Sequence, residues 1–241
     1  MKLFYNKFSL VCALTIILLL SACSKEPASY PRVASIPVDS ISRPKTYLAL
    51  GDSYTIGQSV TVEQRFPYHT VRQLIAREVG MNQANIIAAT GWTTGNLLNS
   101  LINNPPANDY DFVSLLIGVN NQYQGRGTDE YRVQFTELLN KAIGYAGGRS
   151  NRVFVLSIPD YSVTPFAKNS DTARIAREID TFNIINRQIS DQFKVAYLDI
   201  TAISREARKD PALTAPDSLH PSGKQYERWA ILLAPIMKAS L

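Results

Sequence analysis

Five short apolar runs, separated by stretches with helical spacing, constrain this chain more than any other feature. Thr46 to Leu50 is the first and stops at Gly51. Asn85 to Ala89 is the second, and Asp111 to Ile117, closed by Gly118, the third. Val153 to Leu156, shortly before Pro159, and Val195 to Ile200 complete the set. Between them, Pro67 suits the first turn of a helix that turns Val71, Leu74, Ile75 and Val79 inward. Leu97, Leu98, Leu101 and Ile102 mark a shorter helix, stopped by Pro105-Pro106. Tyr131, Phe135, Leu138, Leu139, Ala142 and Ile143 recur at helical spacing, as do Ile175, Ile179, Phe182, Ile189 and Phe193. A last helix carries Tyr226, Trp229, Ala230, Leu233 and Met237. Strands apolar on both faces and alternating with helices predict an α/β domain, a five-stranded parallel sheet between two helical layers. Ligands in such sheets bind beyond the carboxyl ends of the strands, so chemistry is expected just after each run.

The pattern occupies residues 45–241, and what precedes it has a different composition. Residues 1–22 carry Lys2, Lys7 and no acid, then an apolar run from Leu10 to Leu20. That run falls short of the roughly 20 residues needed to span a bilayer, and a basic start with a short apolar region reads as a secretory signal. It ends Leu20-Ser21-Ala22-Cys23, which resembles the bacterial lipoprotein signal. The resemblance implies cleavage before Cys23 and lipid on its sulfur and amino terminus, with the membrane as partner through that anchor. Ser24 in the next position fits sorting to an outer membrane, facing the periplasm. An ordinary signal with a chance cysteine is the alternative. Residues 23–44 then form the lipidated cysteine and a tether, with five Ser and four Pro among residues 24–44 and too little apolar surface to fold.

Charge and cysteine usage exclude several functions. The formal charge of +5 includes Lys2 and Lys7, so 23 basic and 20 acidic residues remain beyond the signal. There is no basic run, and nucleic acid is not an expected partner. Cys12 leaves with the signal and Cys23 is the lipid site, so neither a disulfide nor a cysteine-rich metal site is available. The acids and the two histidines show no ligand spacing, and no phosphate-binding loop follows any strand. No metal or cofactor is expected, and the domain is expected to act as a monomer.

Three strand ends carry unusual polar residues: Gly51-Asp52-Ser53 after the first run, Gly118-Val119-Asn120-Asn121 after the third, and Asp217-Ser218-Leu219-His220 before the last helix. A serine needs an adjacent base to act as a nucleophile. His69 has Arg72, Gln73 and Ala76 at helical spacing and reads as a surface residue. His220 follows Asp217 by three positions, which lets a carboxylate hold one ring nitrogen while the other faces a nucleophile. On the residues alone, Asp217 could instead cap the helix after Pro221, and His220 could be an ordinary loop residue. Asp52 reads as a turn residue bonding nearby N–H groups. Asp160 and Asp199 likewise read as strand-end turn residues.

Taken together, the blocks resemble the GDSL or SGNH hydrolase superfamily. Ser53 matches its nucleophile, Gly91 the glycine of its second block, Asn120 the asparagine of its third, and Asp217 and His220 its Asp-x-x-His block. Tyr47 to Gly57 and Thr90 to Thr94 look most like small bacterial lipoprotein members. The resemblance implies a flavodoxin-like sheet in a three-layer α/β/α fold. It also implies acyl transfer to water through a Ser53-His220-Asp217 triad, with an oxyanion hole of the Ser53 and Gly91 N–H groups and the Asn120 amide. Two positions depart from the pattern: Asn121 replaces the usual aspartate, and Tyr54 the leucine after the serine. The substrate expected is an ester, either a lysophospholipid or an O-acetylated glycan, with Trp92 and Tyr123 candidates to line a groove. A fold that binds glycan or acyl groups without turnover, and a nucleotide or phosphate binder, are the competing readings.

Overall fold

The computed structural model of the chain describes residues 43–241. The expected signal, Cys23 and all of the expected tether before Arg43 lie outside the described residues. Five strands, β1 (Tyr47–Gly51), β2 (Asn85–Ala88), β3 (Phe112–Leu116), β4 (Val153–Leu156) and β5 (Ala196–Leu198), form one sheet in the order β2-β1-β3-β4-β5. Every pairing is parallel. The helices are α1 (Ser53–Ile56), α2 (Phe66–Ile75), α3 (Thr94–Asn103), α4 (Val119–Tyr123), α5 (Thr128–Tyr145), α6 (Thr172–Gln192), α7 (Thr201–Arg205) and α8 (Gly223–Ala239). They flank the sheet in two groups: α2 packs on α8, while α3, α5 and α6 lie side by side. The three-layer α/β/α expectation holds.

The central strands are buried along their whole length, which is why they read as unbroken apolar runs. Asp111 fastens the start of the β1–β3 pair. It accepts the Thr46 N–H at 2.9 Å and returns its own N–H to Thr46 Oγ1 at 3.0 Å. Burial opposes its ionisation, yet the Thr46 N–H, Lys45 and Arg43 hold its carboxyl below the usual range. Between α2 and α8, Trp229 meets Phe66 and Tyr226 with ring centroids 6.0 and 5.0 Å apart. Burying aromatics of this size contributes about 3 kcal/mol each before entropic costs.

The structure alters three expectations. The fifth strand spans three residues rather than six, because the Ile200 and Thr201 N–H groups bond Ser157 Oγ instead of extending the ladder and the chain turns into α7. Ile75, expected inside, lies exposed in the last turn of α2, as Ile102 does in that of α3. His69, expected at the surface, is buried. Because α2 packs on α8, its buried face is wider than an amphipathic stripe and takes in Phe66, His69 and Thr70 along with Val71 and Leu74. Its Nδ1 lies 2.7 Å from Arg72 Nη2, and burial together with that guanidinium pushes the imidazole pKa down.

Candidate active site

The site lies beyond the carboxyl ends of β1 and β3, where the strand order reverses direction. β1 leads into Asp52, whose Oδ1 accepts the Tyr54 N–H at 3.0 Å and so caps the four-residue α1. That cap sets Ser53 at the first helical position, 5% exposed. Asp52 Oδ2 is buried without a partner, and burial pushes the carboxyl up to about 7 against the pull of the Tyr54 N–H. Asp52 thus serves the turn, as its place in the sequence suggested.

His220 and Asp217 reach Ser53 from the loop before α8. His220 Nε2 lies 2.9 Å from Ser53 Oγ, and Nδ1 lies 2.6 Å from Asp217 Oδ2. With the carboxylate accepting from Nδ1–H, Nε2 is left as an acceptor for the serine hydroxyl. Asp217 does not cap the following helix, a place Ser222 takes. Its Oδ1 instead accepts the Leu219 and His220 N–H groups, each at 3.0 Å. Burial raises the Asp217 pKa, but hydrogen bonds from Ser59, those two N–H groups and the ring outweigh it and hold the carboxyl at about 2. The Tyr54 ring meets the imidazole edge-on, centroids 5.4 Å apart.

Ser59 is a participant that the sequence did not announce. Its hydroxyl donates to Asp217 Oδ2 at 2.6 Å across 158 positions of chain. No spacing rule connects a lone loop serine to an acid so distant. The turn signal at Gly57, which ends α1 in the left-handed region, marks only where the loop begins.

Gly91 and Asn120 complete the group around Ser53. Gly91 adopts φ +80°, a conformation that favours glycine, and an added Cβ would meet nothing within 4 Å, so backbone freedom rather than space selects it. Thr90, beside it, donates to Gln58 Oε1 at 2.7 Å, tying this turn to the loop after α1. Asn120 is the second residue of α4, after Gly118 and Val119, and its Nδ2 donates to the Trp92 carbonyl at 3.0 Å. One amide hydrogen therefore fixes the rotamer and the other is left toward the pocket. Gly118 stands at φ +132°, where a Cβ would collide with Tyr131 and Ile158.

Asn121, the departure from the usual aspartate, is fully buried and uses both ends of its amide. Oδ1 accepts the Thr94 N–H at 3.0 Å and Nδ2 donates to Thr94 Oγ1 at 2.7 Å, while the Thr94 hydroxyl donates to Gln134. A carboxylate could accept from Thr94 but could not donate to it. The asparagine thus suits this local network and clamps the start of α3 to the turn that carries Asn120.

Ser53, Gly91, Asn120 and His220 line one pocket of about 160 Å³, with Tyr54, Thr90, Val119, Tyr123, Tyr161, Phe166 and Leu219. Tyr123, Tyr161 and Phe166 form an aromatic wall with ring centroids 6.2–6.3 Å apart. The Phe166 N–H bonds the Ser218 carbonyl, which ties this wall to the histidine loop. Of the two aromatic candidates, Tyr123 lines the pocket, whereas Trp92 packs its ring against the core and offers its carbonyl to Asn120. Asp160 and Asp199 are occupied elsewhere. Asp160 caps a short turn and pairs with Arg205 at 2.8 Å, and Asp199 bonds Ser157 Oγ and the Thr201 N–H. Among the described residues no cluster of His, Cys, Asp and Glu could hold a metal ion.

Comparison with known proteins gives the geometry a context. The family model described as the GDSL-like lipase/acylhydrolase family matches residues 49–228. TesA superposes with a TM-score of 0.61 at 18% identity, over 82% of this chain and 100% of its own. Axe2, an acetylxylan esterase from Geobacillus stearothermophilus, gives 0.59 at 21% identity, over 81% of this chain and 93% of its own. LAE5, an alpha/beta hydrolase enzyme from the metagenome of Lake Arreo, Spain, gives 0.56 at 18% identity, over 81% and 94%. At these identities the structural likeness establishes the fold. No curated protein matches the sequence significantly.

Proposed function

We propose that this chain, which belongs to the GDSL-like lipase/acylhydrolase family, hydrolyses carboxylic esters with Ser53 as its nucleophile. The observation that carries the reading is the hydrogen-bonded line from Ser53 Oγ through His220 to Asp217, opening onto a pocket. Ser53 Oγ attacks the ester carbonyl carbon while His220 Nε2 takes its proton. The oxyanion accepts the Ser53 and Gly91 N–H groups and the free hydrogen of the Asn120 amide. As the tetrahedral species collapses, the bond to the alcohol oxygen breaks and His220 returns the proton to that oxygen. Water then attacks the acyl-enzyme, His220 takes a proton from it, and Ser53 Oγ recovers that proton as the acid leaves. Asp217 holds the tautomer and faces the imidazolium formed in each half. With its pKa near 2 it stays ionised throughout the working range.

Labelling with a fluorophosphonate tests the reading. Modification of Ser53 is expected, whereas a chain that only binds glycan or acyl groups leaves the serine untouched.

Apart from His220, the walls carry no acidic or basic side chain, and aromatic rings dominate one side. That composition favours the apolar acyl group of a lipid-like ester, of which a lysophospholipid is one form, over a glycan whose hydroxyls need several polar partners. With p-nitrophenyl esters of two to sixteen carbons, kcat/KM is expected to peak beyond acetate. Phe166→Ala is expected to lower it about four- to fifteenfold for the hexanoate, the worth of one or two methylenes of contact, while leaving the acetate within twofold. A rate peak at acetate together with turnover of acetylated xylooligosaccharide would transfer the assignment to the O-acetylated glycan class. We further propose that Cys23 anchors the domain as a monomer to the periplasmic face of a bacterial outer membrane. Its test is fatty-acid labelling of the full chain, lost in Cys23→Ala.

A further inference from the structure

We propose that Ser59 is a positioning residue for the proposed ester hydrolysis, acting through Asp217 on His220. The proposal rests on the reading of Ser53, His220 and Asp217 as a hydrolytic unit. Asp217 Oδ2 accepts two hydrogens at once, one from His220 Nδ1 and one from the Ser59 hydroxyl, both at 2.6 Å. The other oxygen, Oδ1, is filled by two backbone N–H groups of its own loop. Those two bonds hold the carboxyl to its loop, while Ser59 reaches it from the loop that follows Ser53. The hydroxyl therefore fixes the distance between the two halves of the site and the rotation that points Oδ2 at the ring.

The backbone at Ser59 supports a specific role for its side chain. Its φ is +66°, in the left-handed region where serine is strained and glycine is not. Ser218, inside the Asp-x-x-His block, stands at +68° as well. Asp217 is also only partly covered, its side chain 27% exposed, so burial alone does not hold Oδ2 toward the ring.

The hydroxyl also sets how strongly Asp217 holds the imidazolium. A donor on Oδ2 draws away part of the charge that would otherwise stabilise protonated His220. Removing it is expected to strengthen the Asp217–imidazolium pair and extend protonated His220 to higher pH. Other titratable groups stand near His220: Tyr54 on α1, Asp160 and Tyr161 from the segment after β4, and Asp52 and Tyr226 behind Tyr54. Asp160 is paired with Arg205, and the three tyrosines are pushed up by burial. All of these are unchanged in a Ser59 variant, so the difference from the parent isolates the hydroxyl.

Two substitutions separate hydroxyl from backbone. Ser59→Ala removes the donor and keeps a side chain at positive φ, whereas Ser59→Gly removes the donor and relieves the strain. Both are expected to lower kcat about tenfold with KM nearly unchanged, and to move the acidic limb of the kcat/KM profile to higher pH. Ser59→Gly should melt no lower than the parent. A Ser59→Gly protein with parental kcat and an unmoved acidic limb overturns the proposal. A second readout does not depend on turnover. The chain has two histidines, so the imidazole signals in a proton NMR titration can be assigned with His69→Gln. The His220 signal should titrate at higher pH in both variants while that of His69 stays in place. An unshifted His220 signal overturns the positioning role. Failure of the parent to react with a fluorophosphonate refutes the hydrolase reading instead, so the two failures are distinguishable.

Discussion

Ser53→Ala is expected to lower kcat toward a p-nitrophenyl ester about 10⁶-fold, the loss typical of removing the nucleophile from a unit of this kind. The fold should survive, because the Ser53 side chain bonds His220 and little else, and the α1 cap belongs to Asp52. Alanine is well suited to the first turn of a helix. Melting within a few degrees of the parent would therefore assign the lost rate to chemistry rather than to unfolding. A slow residual hydrolysis should remain, since the oxyanion donors outlast the nucleophile. His220→Ala should cost about as much, and the double variant little more than either one, because the two residues act as one device. Purified Ser53→Ala protein turning over within tenfold of the parent would falsify the assignment.

Much of this architecture was legible because burial imposes simple patterns. β1, β3 and β4 are covered on both faces, so each reads as a continuous apolar run ending near its true boundary. β5 is an edge strand, half-buried, and apolar neighbours such as Ile200 extended the run beyond its ladder. α1 and α4 are four and five residues long, too short for helical periodicity to register. They nevertheless set Ser53 and Asn120 in place. His69 reads as a surface residue from its own helix alone, and its burial belongs to a helix that packs on α8, more than 150 residues later in the chain.

The site divides along the same line. Ser53, Asn120, Asp217 and His220 stand where sheet topology requires a site to be, beside strand ends or immediately before a helix. The structure brings Ser53, Asn120 and His220 together with Gly91 around one pocket, with Asp217 bonded to the far nitrogen of His220. What could not be read was whatever depends on pairing between distant loops. Ser59 reaches Asp217, Asn121 clamps Thr94, and Tyr161 with Phe166 builds a wall from a segment of short 3₁₀ turns. Each uses a common residue type without periodicity, so nothing local marks it. Asn121 illustrates the limit. The sequence showed that it departs from the family pattern, but the reason lies in Thr94 and Gln134, which need an amide that donates and accepts at once.

Asn120→Ala is expected to lower kcat about 10²–10³-fold while changing KM little. The asymmetry follows from when the contact forms. A ground-state carbonyl draws little from the amide, whereas the oxyanion of the tetrahedral species draws strongly, so the loss falls on the transition state. Asn120 is suited to that task because the Trp92 carbonyl holds one of its amide hydrogens at 3.0 Å and fixes the group before substrate arrives. Removing the side chain also leaves that carbonyl without its partner, so a small loss of stability, about 1 kcal/mol, should accompany the kinetic one. The neighbouring position supplies the control. Asn121→Ala removes a buried clamp that does not line the pocket, and should cost more in melting temperature than in kcat. The Asn120→Ala protein should still be labelled by a fluorophosphonate, only more slowly, because Ser53 and His220 remain hydrogen-bonded. Turnover by Asn120→Ala within threefold of the parent would remove the amide from the oxyanion hole and leave the Ser53 and Gly91 N–H groups to hold the charge alone.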